Sequence, residues 1–478
     1  MAESENEEQP PPETPKKKTR KRKRKWTILC GRRKNRRGQT SYFYASVATV
    51  MFPGFTVGTL LGWEHAYMLK NDSNLLSVPF LHIGAMLGAI IASIVMDRKG
   101  RHVCLWAFFW FLYLAVIIRL ITSNLLVTCI FRVLAGISVG AYYQVVPIYI
   151  AELSYRRHRG VILAALGCLI AIGIIAAPNS YTFTPLLIID ILFGVVFFIM
   201  KFWFAPETAY YDFARDHFYD AMYTLHRCHH ADQWGSEIRE ISLEVSAYPR
   251  DELNCLSFAL HMTDLNVDFL HRTVTILGML LLSQGLFISC HLGINLYFFA
   301  DGEKTGVFFI QIVIVLVAFI INLFVIDRYG RKVLLLISSI GVALFYLVIF
   351  AMYCDGYAYR DSTVTIMRQL LVFFFYLGWD FIPIVYMSEL MPYSIRAPSV
   401  SFCLFFYFLA KAVFPVTSFY TQLFLHYAIP PLVFFFVAVA CGFFGWFIPP
   451  ETKQMSLCAI QIKMDHDVTV FEDRLEVD

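Results

Sequence analysis

The chain has 478 residues, 58% of them hydrophobic and 17% aromatic, and carries a net charge of +4. Only 16% are charged, against about 25% in ordinary soluble domains. That balance excludes a soluble globular enzyme and a disordered chain, and makes the lipid bilayer the fitting solvent.

In chain order, residues 1–40 form an acidic, Pro-rich and then basic tail without an early apolar core, so no cleavable signal peptide is expected. Its stretch 16–37, "KKKTRKRKRKWTILCGRRKNRR", holds fourteen Lys and Arg and no acid. Taken alone it suggests nucleic-acid binding. Immediately before a first apolar run it reads instead as a positive-inside signal that also touches anionic lipid, with no nucleic acid involved. Twelve apolar runs of helix-spanning length follow: 41–68, 75–96, 103–121, 125–151, 160–181, 184–204, 272–300, 306–326, 333–353, 366–388, 398–424 and 428–448. None alternates like a barrel strand, so helices are expected throughout. The loops "DRKGRH" (97–102), "SYRRHRG" (154–160) and "DRYGRK" (327–332) are basic, and the intervening loops are nearly free of Lys and Arg. Both termini are therefore expected in the cytoplasm, with the chain in the plasma membrane. The polar stretch 205–270 reads as cytosolic helices, and 449–478 as a cytosolic tail. Eleven scattered Cys give neither a disulfide framework nor a zinc spacing. "HRCHH" (226–230) reads as the polar face of a linker helix, and no metal or other cofactor is expected. "NDS" (71–73) is a glycosylation sequon in an outward loop.

Three patterns occur twice. Asp97-Arg98-Lys99-Gly100-Arg101 returns as Asp327-Arg328-Tyr329-Gly330-Arg331, offset by 230. "YIAELSYRRHRG", with Glu152 and Arg159, returns as "YMSELMPYSIRA", with Glu389 and Arg396, offset by 237. Pro206-Glu207-Thr208 returns as Pro450-Glu451-Thr452, offset by 244. A common order at a nearly constant shift implies parallel six-helix halves, 41–204 and 271–448. The expected architecture is an all-α membrane protein of twelve transmembrane helices in two repeats. In each half the Gly permits a tight turn between spans, and the Arg residues can reach acids at neighbouring helix ends. The seven-residue spacing from Glu152 to Arg159, and from Glu389 to Arg396, would place both charges on one helix face. Asp97, Arg98, Arg101, Glu152, Arg159, Asp327, Arg328, Arg331, Glu389 and Arg396 are thus candidates for an ion-pair network that closes the cytoplasmic side.

At these residues the chain resembles the sugar porter family of the major facilitator superfamily. "FRVLAGISVGAYYQVVPIYIAELSYRRHRG" (131–160) is similar to that family's fourth-span pattern, "APET" (205–208) to its P-E-S-P-R motif and "PPETK" (449–453) to its P-E-T-K-G motif. The short first outward loop resembles insect trehalose and hexose facilitators. The resemblance covers about 41–455 and implies alternating-access transport of a small solute by a monomer, with no enzymatic activity. The family's sugar-binding Gln aligns with Gly167 and its eighth-span Asn near Val315. Its tenth-span G-P-x-P-x-P-W becomes "GWDFIPI" (378–384), and its eleventh-span N-W-x-x-N becomes "YFLAK" (407–411). "SQGLFISCHLGIN" (283–295) keeps Gln284 and Asn295. Gln284, Asn295, Asp380 and Lys411 are the candidate substrate-binding residues.

Charges inside a span mark function by default. The resemblance pairs Glu64 with Arg132 for proton coupling, while Glu64 read alone fits a loop residue just past the membrane equally well. Asp380 and Lys411 form either a buried ion pair or a charged substrate site, and Asp190 is a further intramembrane acid. A sugar is the expected solute. An organic anion, or a sensor that keeps the fold without transporting, are the alternatives.

Overall fold

The computed structural model describes residues 40–70, 78–121, 125–179, 183–230, 233–247, 278, 304–356, 362–424, 428–447 and 449–465. Among the described residues helix follows where the sequence is apolar over spanning length, because lipid offers the backbone no partner but itself. The first half contains α1 (Ser41–Met51), α2 (Pro53–Lys70), α3 (Val78–Lys99), α4 (Arg101–Ile121), α5 (Leu125–Leu153), α6 (Arg159–Asn179) and α7 (Phe183–Phe204). The short helices α8 (Ala209–Ala214), α9 (Phe218–Cys228) and α10 (Trp234–Ala247) lie between the halves. The expected seventh span, 272–300, with Gln284 and Asn295, falls outside the described residues except for Gly278, as does the Asn71 sequon. The second half continues with α11 (Lys304–Tyr329), α12 (Arg331–Cys354), α13 (Ser362–Phe374), α14 (Ile382–Glu389), α15 (Arg396–Phe424) and α16 (Ile429–Phe447). A last helix, α17 (Leu457–Asp465), follows.

Two spans are broken rather than continuous. The first breaks at Phe52, where Pro53 has no N–H to offer the preceding turn. The tenth contains a π-helical turn, Phe375–Trp379. Its cause is visible. The Ser338 hydroxyl, from α12, donates to the Phe374 carbonyl at 2.6 Å and accepts the Trp379 N–H at 3.0 Å. A side chain inserted in the ladder widens the turn, and such turns recur at functional sites. The Asp380 N–H then bonds five residues back, to Phe375 O at 3.1 Å.

Packing inside the first half rests on glycine. A Cβ on Gly88 would be driven into the Ile137 carbonyl, and one on Gly140 into the Ala85 carbonyl. Small residues four apart let α3 and α5 approach to backbone contact, as membrane helices require where grease cannot drive association. The halves meet along α3 against α15 and α6 against α11. Phe202, Trp203 and Phe324 are more than 70% exposed, a tolerable state for such side chains only against lipid. α8, α9, α10 and α17 gather at one end of the bundle around Tyr210, Ala221, Leu225, Ile241, Tyr393 and Leu457. "HRCHH" differs from the expected polar face. Cys228 and His229 are buried, and the Cys228 carbonyl accepts the Thr40 N–H at 3.2 Å, tying α9 to the start of α1. Among the described residues no His, Cys, Asp and Glu cluster could hold a metal.

Gly140→Val should lower the thermal stability of the detergent-solubilised protein by about 1–3 kcal/mol or more, the usual cost of overpacking. Gly235→Ala, where a Cβ meets nothing within 4 Å, should leave it unchanged or slightly raised. Fluorescence-detected unfolding checks both.

Candidate functional site

The two Asp-x-x-Gly-Arg turns behave as expected. Gly100 and Gly330 take φ of 93° and 100°, left-handed values that a side chain would strain. Each turn hands its following helix to a carboxylate. Glu207 accepts the N–H groups of Arg101 and His102, both at 3.0 Å. Glu451 accepts those of Arg331 and Lys332, also at 3.0 Å. A carboxylate on the unsatisfied donors at a helix N-terminus is favourable on both hydrogen-bond and dipole grounds. The repeated Pro-Glu-Thr thus caps the third and ninth spans, a role its sequence did not announce.

With their backbones fixed, the Arg side chains reach acids. Arg101 Nη2 lies 2.8 Å from Glu152 Oε1, and the same oxygen receives Arg396 Nη1 at 3.0 Å. Arg396 Nη2 continues to Glu244 of α10 at 2.7 Å, and its Nε donates to Met391 O at 3.0 Å. Arg396 and Glu152 belong to opposite halves, so the row Arg101–Glu152–Arg396–Glu244 joins both halves and the linker with balanced charge. In the second half Arg331 bonds Asp327 at 2.9 Å and Glu389 at 3.2 Å, and the Thr452 hydroxyl donates to Glu389 at 2.6 Å. Asp327 also accepts the Val161 N–H at 3.0 Å, a further link between the halves. Arg101 lies 5.0 Å over the Tyr393 ring and Arg396 5.6 Å over Tyr210. Tyr210, standing where the family motif has an Arg, therefore roofs a cation of the ion-pair row.

One expectation is corrected. Glu152 and Arg159 do not share a helix face: α5 ends at Leu153 and α6 starts at Arg159. Glu389 likewise ends α14, and Arg396 opens α15. The intervening residues turn the chain, so each acid meets an Arg from another span. Arg159 donates to Ser154 O at 3.4 Å. Arg98 and Arg328 contribute backbone carbonyls, to Tyr211 OH at 3.1 Å and Lys453 Nζ at 2.7 Å. The Asp97 carbonyl accepts Arg215 Nη2 at 3.2 Å.

Linker acids press on this end of the bundle. Burial pushes Glu244 above the usual carboxylate range, with Arg396 pulling it back. Burial, with Glu240 nearby, pushes Glu237 up to about 7.

Deeper in the bundle a second cluster forms at the boundary of the halves. Lys411, 5% exposed, stands with its ammonium 4.8 Å over the Tyr407 ring. Tyr143 of α5 packs its ring 6.0 Å from Tyr407, and the charges of both Lys411 and Asp380 act on it. Tyr376 lies near Asp380 and Tyr407. A Cβ at Gly167 would stand 3.1 Å from the Phe381 ring and 3.3 Å from Phe319, so aromatic rings close over the place of the family's Gln. Val315 is buried. A close contact of the Lys411 ammonium is thus an aromatic face. Arg132 is buried in α5. Glu64 belongs to α2, but its side chain lies outside the described residues. Asp190 is wholly buried and meets the Thr59 hydroxyl at 2.9 Å. Glu244 and Tyr143 were not singled out by sequence reasoning. Glu244 was within its reach, as an acid at i+7 from Glu237 on an amphipathic linker helix.

Repeated halves of spanning helices, held together at one end by buried ion pairs and meeting around a polar centre, define a transporter of the major facilitator fold. The chain belongs to the sugar (and other) transporter family, whose profile matches residues 40–463; it is a multi-pass membrane protein and not an enzyme. It is 25% identical over 449 residues to the sugar transporter ERD6-like 10 of Arabidopsis thaliana, covering 88% of this chain and 94% of the relative. It is also 25% identical to ERD6-like 11 of the same plant, covering 88% and 92%. Its fold matches that of the proton:xylose symporter XylE of E. coli bound to 6-bromo-6-deoxy-D-glucose. The TM-score is 0.71 at 17% identity, over 88% of this chain and 100% of XylE.

Glu152→Gln strips the balancing charge from two buried guanidinium groups and should cost about 3–5 kcal/mol, read by thermal unfolding in detergent. The pH dependence of linker docking follows from Glu237. Its folded-state pKa of about 7 lies above the ordinary glutamate value of 4.5. Its contribution is therefore fully present below pH 4.5 and is lost as pH rises through about 7. Glu237→Gln should flatten that part of the stability profile, measured by hydrogen exchange of α10 between pH 4.5 and 8.

Proposed function

We propose that this protein carries a sugar across the membrane by alternating access, with the linker end of the bundle in the cytoplasm. The observation that carries this reading is the buried row from Arg101 to Glu244, which ties the halves together at the linker end. Ion pairs suit a gate. They are specific when closed, and water recovers their desolvation cost when the halves part. The sugar is supported by the family and by the names of the relatives matched across nearly their whole length. The orientation is supported by the basic run 154–160 at that end and by the basic stretch 16–37 preceding the first span in the sequence. A plasma-membrane location, cytoplasmic termini, a monomeric state and contact of the basic tail with anionic lipid belong to the same reading.

Arg132, buried in the fourth span, is the proposed partner of Glu64 for proton coupling, since a carboxylate that gains and loses an Arg neighbour gains and loses a proton.

Reconstituted in vesicles, the protein should take up D-xylose or D-glucose saturably, and an inward proton gradient should accelerate it. Arg396→Ala should cut uptake roughly tenfold or more, a shift worth about 1.4 kcal/mol or more between states. Glu64→Gln should leave exchange running while abolishing the pH dependence. Absence of uptake for every sugar tried would defeat the reading; unchanged pH dependence in Glu64→Gln would defeat its proton step.

A further inference from the structure

Asp190 belongs to neither the ion-pair row nor the central cluster. It lies in α7, about 10 Å from the helix start at 1.5 Å per residue, and none of it is exposed. One carboxylate oxygen meets the Thr59 hydroxyl of α2 at 2.9 Å. That hydroxyl has a single proton and stands as close, at 2.8 Å, to the Thr56 carbonyl of its own helix, so it cannot serve both. Thr56, three residues before Thr59 on the same face, brings its own hydroxyl beside the carboxylate. From α4, the Tyr113 ring packs where a Cβ on Gly194 would stand, one turn along α7 from Asp190. The Asp190 charge acts on the Tyr113 hydroxyl. Three helices of the first half thus bring four oxygen-bearing side chains together.

The hydrogen bonding of this group does not close. Among the described residues Asp190 Oδ1, Thr56 Oγ1 and Tyr113 OH are buried without a hydrogen-bond partner, and no Lys, Arg or His acts on Asp190. A buried carboxylate without a counter-charge and buried hydroxyls without partners are each costly. A proton on Asp190 removes the charge but offers one donor to a group with three unengaged oxygens. A cation among them engages every oxygen at once. The donor set also limits the ion. Oxygen ligands suit hard cations rather than transition metals. A single carboxylate balances a single positive charge, whereas a divalent ion would leave net charge buried. Oxygens 2.9 Å apart, on helices too close to admit a Cβ at Gly194, suit Na+ better than the larger K+.

We propose that Asp190, Thr56, Thr59 and Tyr113 form a Na+ site inside the first half. The ion ties α2 to α4 and α7 within that half, and so steadies it as one rigid body while the two halves rock. The site is distinct from the Glu64 and Arg132 pair assigned to the proton, and it is indifferent to which sugar is carried.

Binding rather than uptake is read, so the test stands whether or not the transport reading does. The full chain in detergent is unfolded thermally at pH 8, where protons compete least, in NaCl, KCl or choline chloride at equal ionic strength. Binding of radiolabelled Na+ is measured on the same preparation. Saturating Na+ should raise the unfolding midpoint by roughly 2 °C or more, with K+ and choline giving little change, and the labelled ion should bind. Asp190→Asn should abolish both effects. Thr59→Val, which keeps the shape and removes one oxygen, should weaken Na+ affinity roughly tenfold or more, the range for a polar contact to a charged group. The same Na+ response in Asp190→Asn would overturn the site. So would a wild-type chain that binds no labelled Na+ and unfolds alike in all three salts; a stability that then varies with pH in the wild type but not in Asp190→Asn would assign the carboxylate to a proton alone. A K+ response equal to that of Na+ would overturn the choice of ion. Because labelled Na+ is read on the wild-type chain, the proposal stays falsifiable even where a variant does not fold.

Discussion

The guanidinium of Arg396 is the joint on which the arrangement depends. It is fully buried, and its donors run to Glu152 of the other half, to Glu244 of the linker and to the Met391 carbonyl. Desolvating such a group is tolerable only with all of these partners in place. The requirement is therefore collective: the fourth span, the eleventh span and the linker helix must arrive together. An apolar seal of similar area would hold as well but would be indifferent to register. The charged seam is satisfied in one alignment only.

The elements around it serve this geometry. Glu207 and Glu451 cap the helices that begin with Arg101 and Arg331, so the Arg backbones cannot drift while their side chains bridge. Tyr393 and Tyr210 lie over the guanidinium planes, keeping water from the ion pairs without competing for their hydrogen bonds. The paired motifs are not used identically. In the second half Glu389 is shared by Arg331 and the Thr452 hydroxyl, all within one half, whereas Glu152 takes an Arg from across the boundary. The repeat supplied equivalent parts, and their assembly made one a lock and the other a brace.

The ion-pair row and the central cluster are carried on the same helices. α5 holds Tyr143 and Glu152, about 14 Å apart along the axis, and α15 holds Arg396 and Lys411, about 22 Å apart, at 1.5 Å per residue. Packed helices do not deform smoothly, so parting at one level is transmitted to the other. The π-helical turn made by Ser338 is the local exception. It shifts the register of the tenth span and presents Asp380 and Phe381 beside the cluster.

Much of this protein could be read from its residues alone. Hydrophobic length located the spans because lipid forces every apolar run of that length into a helix. The repeated motifs exposed the two halves, and charges in apolar runs pointed to Arg132, Asp380 and Lys411, since an unneeded charge there would be costly. What the sequence could not contain was partnership. Helical spacing suggested Glu152 with Arg159, yet chain turns at 154–158 and 390–395 send each acid to an Arg from another span. The adjacency of Asp380 and Lys411 on consecutive spans suggested an ion pair or a charged substrate site, and only the folded chain adds an aromatic ring beneath the ammonium. Local spacing determines which face of a helix a charge occupies. Which opposite charge it meets depends on how distant helices pack, and only the tertiary structure decided that.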